Sequence, residues 1–232
     1  MEFHRHKKSE KNYEINKRIK MLSEQPINIA NGGYLNQFNQ DIDVRDFNNK
    51  WAFKPIELYG RFDHGNELKV KTVKNGFIGF NLVTPFHFLN EDTNQKEAIL
   101  VDRGFIGNET SIDNYDVASH NHSGYVALKG VLTKPHNTKY SKEIEFTEKI
   151  CDHIDLKEMT KFTGIESTFA KNILIKSIDL NPENASVYPV TENAKSLTTF
   201  NVSPETHSTM SRLFGGVAFL SIFSNMFFWV CL

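Results

Sequence analysis

The stretch FIGFNLVTPFHFLN, residues 77–90, sets large side chains at every second position: Ile78, Phe80, Leu82, Thr84, Phe86 and Phe88. A period of two belongs to a strand with one buried face. Pro85 has no N–H to give to a ladder, so it marks an edge, a bulge or a strand end. Outward from this stretch the pattern repeats. Ile56, Leu58 and Phe62 alternate before it. After it, residues 98–106, 125–132 (with Gly130 inside), 173–180 and 197–202 read as further strands. Asp155-Leu-Lys-Glu158 has the spacing of a capping box; Leu156, Met159 and Phe162 follow at helical spacing, and Gly164 closes the helix. Upstream, Ile15, Ile19 and Leu22 predict a short amphipathic helix before Pro26, and the Asn- and Gly-rich residues 30–50 predict a loop. The expected fold is α+β: a mainly antiparallel sheet or partly closed barrel with flanking helices, plus one C-terminal transmembrane helix.

That last helix is read from residues 213–232, LFGGVAFLSIFSNMFFWVCL, which carry no charge. As a helix the run spans about 30 Å, the thickness of a hydrocarbon core. Trp229 suits an interface anchor. Gly215 and Gly216 permit close helix contact, and Asn225 is costly against lipid and better placed against a partner. Ser203 and Pro204 are good helix-start residues, so the helix begins above the membrane and carries His207 at headgroup depth. The predicted organisation is a basic arm, 1–25, a β-rich domain, 26–202, and a membrane helix, 203–232.

The chain has 232 residues, 39% hydrophobic and 24% charged, with a formal net charge of −1. This is the composition of a folded chain with no global field for nucleic acid. The first 20 residues are basic, as suits anionic lipid headgroups, an acidic partner or simply a solvated helix face. Cys151 and Cys231 lie in different parts of the chain and imply no disulfide framework. No apolar stretch of signal-peptide type follows the N-terminal basic residues. The glycine, serine and metal-ligand motifs of the common enzyme classes are missing. His4-x-His6 and His120-x-His122 are spaced to share one side of a strand, but each lacks a third ligand and reads as surface histidine.

Several short motifs follow one another along the chain. Gly60-Arg61-Phe62 is followed by Gly76-Phe-Ile-Gly79-Phe-Asn-Leu-Val-Thr84-Pro85-Phe86, by Ile99-Leu-Val-Asp-Arg103-Gly104-Phe105-Ile106 and by Val126-Ala-Leu-Lys-Gly130-Val-Leu. His153-Ile-Asp155-Leu-Lys-Glu-Met159 and Glu205-Thr-His207 come later. The series resembles the Surfeit locus protein 1 family of cytochrome c oxidase assembly factors, from about residue 12 to the end. On the residues alone, Gly60, Gly79 and Gly104 suit bends or close backbone approach. Arg61 and Arg103 suit carboxylates or propionates of a partner, or pairing with Asp63 or Asp102.

The resemblance implies a non-catalytic factor or stably bound accessory component in the mitochondrial inner membrane, its domain on the intermembrane-space side and its partners the oxidase subunits and membrane lipid. It also implies haem a as candidate cofactor, through His207. The alternatives are a permanent structural subunit of a respiratory complex and a haem-binding carrier. This chain departs from the family pattern where a first transmembrane helix is expected. It has Phe105 where the family has tryptophan, and Met210 and Phe214 where it has tyrosine and tryptophan.

Overall fold

The computed structural model describes residues 2–31, 33–107, 124–135, 149–179 and 189–199, with 206 and 209. Helices α1 (Glu2–Leu22), α2 (Tyr34–Phe38) and α3 (Val44–Lys50) precede strands β1 (Pro55–Phe62), β2 (Leu68–Lys74), β3 (Phe77–Asn90), β4 (Gln95–Gly107) and β5 (Val126–Thr133). Then follow β6 (Ile150–Cys151), α4 (Leu156–Thr163), β7 (Leu174–Asp179), β8 (Glu192–Asn193) and α5 (Ala194–Leu197). Two compact units result, Met21–Ala194 and a second that joins Met1–Lys20 to Lys195–Leu232.

In the larger unit the strands run β1-β5-β7-β4-β3, and β1 also pairs β3, which closes a barrel. Neighbours are antiparallel except for β4 with β7, and outside the barrel β6 on β2 and β8 on β7. Closure removes the free edges that an open sheet would expose. It depends on Gly60. A Cβ there would lie 2.2 Å from the His87 carbonyl oxygen, so only glycine lets β1 lie against β3.

Strand β3 runs through Pro85 without a break. It pairs β2 as far as Val83, and β1 from Phe86 onward, so Pro85 sits where the strand changes neighbours. The Pro85 carbonyl accepts the Asp63 N–H at 2.8 Å. In extended backbone the N–H and C=O of one residue point the same way, so the missing N–H faces this gap and costs no bond to β4. Of the alternating face, Phe80, Leu82, Thr84, Phe86 and Phe88 are buried; Ile78, beyond the core, is exposed. The β2–β3 turn is Asn75-Gly76, both at positive φ, the sequence that a two-residue hairpin favours.

Residues 30–50 depart from the predicted loop. They contain α2 and α3, whose Phe38 and Phe47, with the following Trp51, are buried in the main core beside Ile99 and Ile175. Phe38 and Trp51 meet edge to face at 5.0 Å, and Asn172 donates to the Phe38 carbonyl at 2.7 Å. Burial therefore overrides the Asn-rich composition. Residues 98–106 of β4 are all buried, since the barrel interior covers one face and other elements the other. Helix α4 has both signalled ends: Asp155 accepts from the N–H groups of Lys157 and Glu158, and Gly164 is left-handed. The first part of 197–202 is not a strand, because Leu197 ends α5.

In the second unit α1 is longer and more polar than predicted. It is braced by His6–Glu10 and Arg18–Glu14 pairs, and Arg18 also donates to the Leu197 carbonyl at 2.9 Å. Tyr13 and Ile19 are exposed. Among the described residues no helix is long and apolar enough to cross a membrane. The run 213–232, with Gly215, Gly216 and Asn225, lies outside them, as does His207.

Candidate functional site

The β3–β4 ladder slips by one residue between Leu82 and Val83: Leu82 pairs Gly104 and Val83 pairs Asp102. Arg103 is the extra residue of this bulge. Bulges re-aim side chains, and here Asp102 and Arg103 enter two different networks. Gly104 makes the bulge tolerable. Its φ is +130°, and a Cβ would lie 2.6 Å from the Val190 carbonyl oxygen, which accepts the Phe105 N–H.

Arg103 is 5% exposed. Its Nη1 donates to Glu67 Oε2 at 2.7 Å and to His64 Nδ1 at 3.2 Å. A guanidinium only donates, so Nδ1 accepts and the His64 proton is on Nε2. The 3.8 Å approach of His64 Nδ1 to Glu67 is then not an ion pair. Thr84 Oγ1 donates to the same Glu67 oxygen at 2.6 Å. The guanidinium also lies 5.1 Å from the centre of the Phe62 ring, which meets Phe86 edge-on. Phe62 ends β1, His64 and Glu67 flank the short turn before β2, Thr84 comes from β3 and Arg103 from β4. The cluster thus ties together the segments that meet where β3 changes partners.

Asp102, also buried, accepts the Gly104 N–H at 3.1 Å and stands 3.9 Å from Lys176 Nζ. Lys176 reaches Glu192 at 3.0 Å, and Glu192 reaches Lys74 at 3.6 Å. Burial pushes the Asp102 carboxyl above its ordinary range, against the pull of Lys176. Of the alternatives that the sequence left open for Arg103, pairing with Asp102 is not the one the structure shows: adjacent residues on a strand diverge, so Arg103 takes Glu67 and Asp102 takes Lys176. Arg61 is exposed, and Asp63, its expected partner, is engaged by Asn66 at 2.8 Å and faces His87 at 3.7 Å. Of the two arginines, Arg61 is exposed and Arg103 is buried.

Two surface clefts, of about 660 and 480 Å³, are lined by other residues, including Glu97 and Ser167 in one and Lys134 and Asn172 in the other. Cys151 is buried, and burial pushes its thiol up to about 11. Among the described residues no group of three metal-ligating side chains converges. His120 and His122 lie outside those residues.

The SURF1 family model matches residues 4–213, which include every strand of the barrel, the Arg103 bulge and α4. The chain belongs to the SURF1 family. Comparison with curated proteins returned no match. The family is linked to the assembly of cytochrome c oxidase and is generally non-catalytic. In this member, sequence reasoning singled out Arg103 for a partner, and did not point to Glu67, His64 or Thr84, which surround it. The signals were weak: a Thr-Pro within a strand, and a carboxylate just after a Gly-Asn turn, with nothing to link either to residue 103.

Proposed function

We propose that this SURF1 family member acts in the biogenesis of cytochrome c oxidase as a non-catalytic factor or stably bound accessory component of the mitochondrial inner membrane. The family match over residues 4–213 carries this reading. Residues 213–232 serve as its membrane anchor, with Gly215, Gly216 and Asn225 turned to a neighbouring helix and the β-rich domain on the intermembrane-space side. Arg61, exposed on β1, offers a carboxylate-binding group to an oxidase subunit. Deletion of the gene is expected to lower assembled oxidase and its haem content, and the protein is expected to co-purify with assembly intermediates. Unchanged oxidase together with no co-purification would refute the proposal.

A permanent structural subunit is the second reading. It is favoured by Met210 and Phe214, which stand where the family pattern has tyrosine and tryptophan beside the histidine. Stoichiometric presence in the mature enzyme would decide for it. A haem role depends on His207, the position that the family resemblance singles out for it. Arg103 is buried against Glu67 and does not present its guanidinium to a propionate. Titration of the purified chain with haem tests that role: a Soret shift lost in His207→Ala supports it, and no shift ends it.

A further inference from the structure

Three large apolar side chains are exposed together at the end of the β2–β3 hairpin: Val73 at 65%, Phe77 at 66% and Ile78 at 69%. Val73 and Ile78 are directly opposed across the two strands, and Lys74 opposes Phe77. Neighbouring positions alternate in direction, so Val73 and Ile78 share one face of the tip and Phe77 lies on the other. One face of the tip is therefore apolar, and the other carries Phe77 beside Lys74. The barrel does not use these side chains: the buried cluster on this hairpin begins at Phe80 and Leu82.

The surrounding charge indicates what covers the tip. From Lys69 to Gly79 the chain carries Lys69, Lys71 and Lys74 and no acidic residue. Lys71 pairs with Asp152 yet stays exposed, and Lys74 faces Glu192 at 3.6 Å, so Lys69 and Lys71 carry most of the positive charge that lipid can reach. An apolar tip with lysines on the strand behind it is complementary to an anionic bilayer: side chains enter the acyl boundary and ammonium groups stay among phosphates. A lone exposed hydrophobe would need no such account, but three at one turn do.

We propose that the Val73–Ile78 hairpin tip is a second membrane contact, which inserts into the interface of an anionic phospholipid bilayer and fixes the tilt of the barrel on it. The proposal rests on the anchor reading above, since the tail brings the domain to the bilayer.

The test uses the full chain reconstituted in phosphatidylcholine–phosphatidylglycerol vesicles and in phosphatidylcholine vesicles. An environment-sensitive fluorophore is placed at Phe77→Cys, in a Cys231→Ser background. The control label is at Leu89→Cys, exposed near the far end of the same strand, roughly 40 Å away. Both sites are exposed, so labelling leaves the core intact. The expected result is blue-shifted emission at 77, quenched by spin-labelled lipid and weakened without phosphatidylglycerol, with water-like emission at 89. Vesicle-bound protein with water-like emission at both sites overturns the inference and leaves the anchor standing. Protein that fails to float with vesicles overturns both. Shielding at 77 that appears only in native membranes containing oxidase subunits also overturns it, in favour of a protein contact.

Discussion

Replacement of Arg103 by methionine tests whether the buried cluster holds the barrel together. The change keeps much of the side chain's length and removes the guanidinium. Glu67, whose side chain is 12% exposed, then loses its 2.7 Å partner. It keeps only the Thr84 hydroxyl, at 2.6 Å, among the donors described here. Removal of one partner from a buried pair costs about 3–5 kcal/mol, because a charge remains desolvated and uncompensated. The surviving Thr84 bond places this case near the lower end, at about 3 kcal/mol. For a domain of this size each kcal/mol moves the midpoint by about 2–4 °C, so the melting temperature should fall by about 6–12 °C. The double variant Arg103→Met/Glu67→Leu removes both charges and should be more stable than Arg103→Met alone, since no charge is left to desolvate. Denaturant unfolding of the detergent-solubilised chain, followed by the β-sheet circular dichroism signal and with Glu67→Leu alone as the fourth corner, measures the whole cycle. If Arg103→Met costs less than about 1 kcal/mol, or the double variant is the less stable of the two, the cluster is not a coupled buried pair and the reasoning fails.

Asp102→Asn should change how stability depends on pH. Burial raises the folded carboxyl above its unfolded value, so the stability it contributes is fully present below the unfolded value and is lost as pH rises through the folded one. The variant should flatten that decline on thermal scans from acid to neutral pH, and an unchanged slope would contradict the burial argument. Gly60→Ala should cost about 1–3 kcal/mol, because its Cβ collides with the His87 carbonyl where the barrel closes; a neutral result in denaturant titration would mean that β1 and β3 are not held so close. Cys151, with its thiol pushed up to about 11, should resist iodoacetamide at pH 8 in the folded chain and react readily after unfolding. Peptide mass spectrometry distinguishes it from Cys231, and equal rates in both states would place it outside the core.

Elements specified by local chemistry could be read directly from the residues. The strands around residues 77–90 and 98–106 were legible because alternation continues over enough positions to fix a face. Helix α4 was legible because its cap, apolar face and closing glycine lie within ten residues of one another. The family was legible because ordered short motifs survive substitution at Phe105, Met210 and Phe214. Other features depended on contacts that no local pattern encodes. Helices α2 and α3 are too short and Asn-rich to declare themselves; they exist because the barrel buries Phe38, Phe47 and Trp51. The parallel β4–β7 pairing and the β1–β3 closure join distant segments. Arg103 was legible as a residue that needs a carboxylate, but not which one. A one-residue bulge sends it to Glu67, 36 positions away, and leaves adjacent Asp102 to Lys176. Residue type sets what a side chain must bind, whereas only strand register decides what lies within its reach.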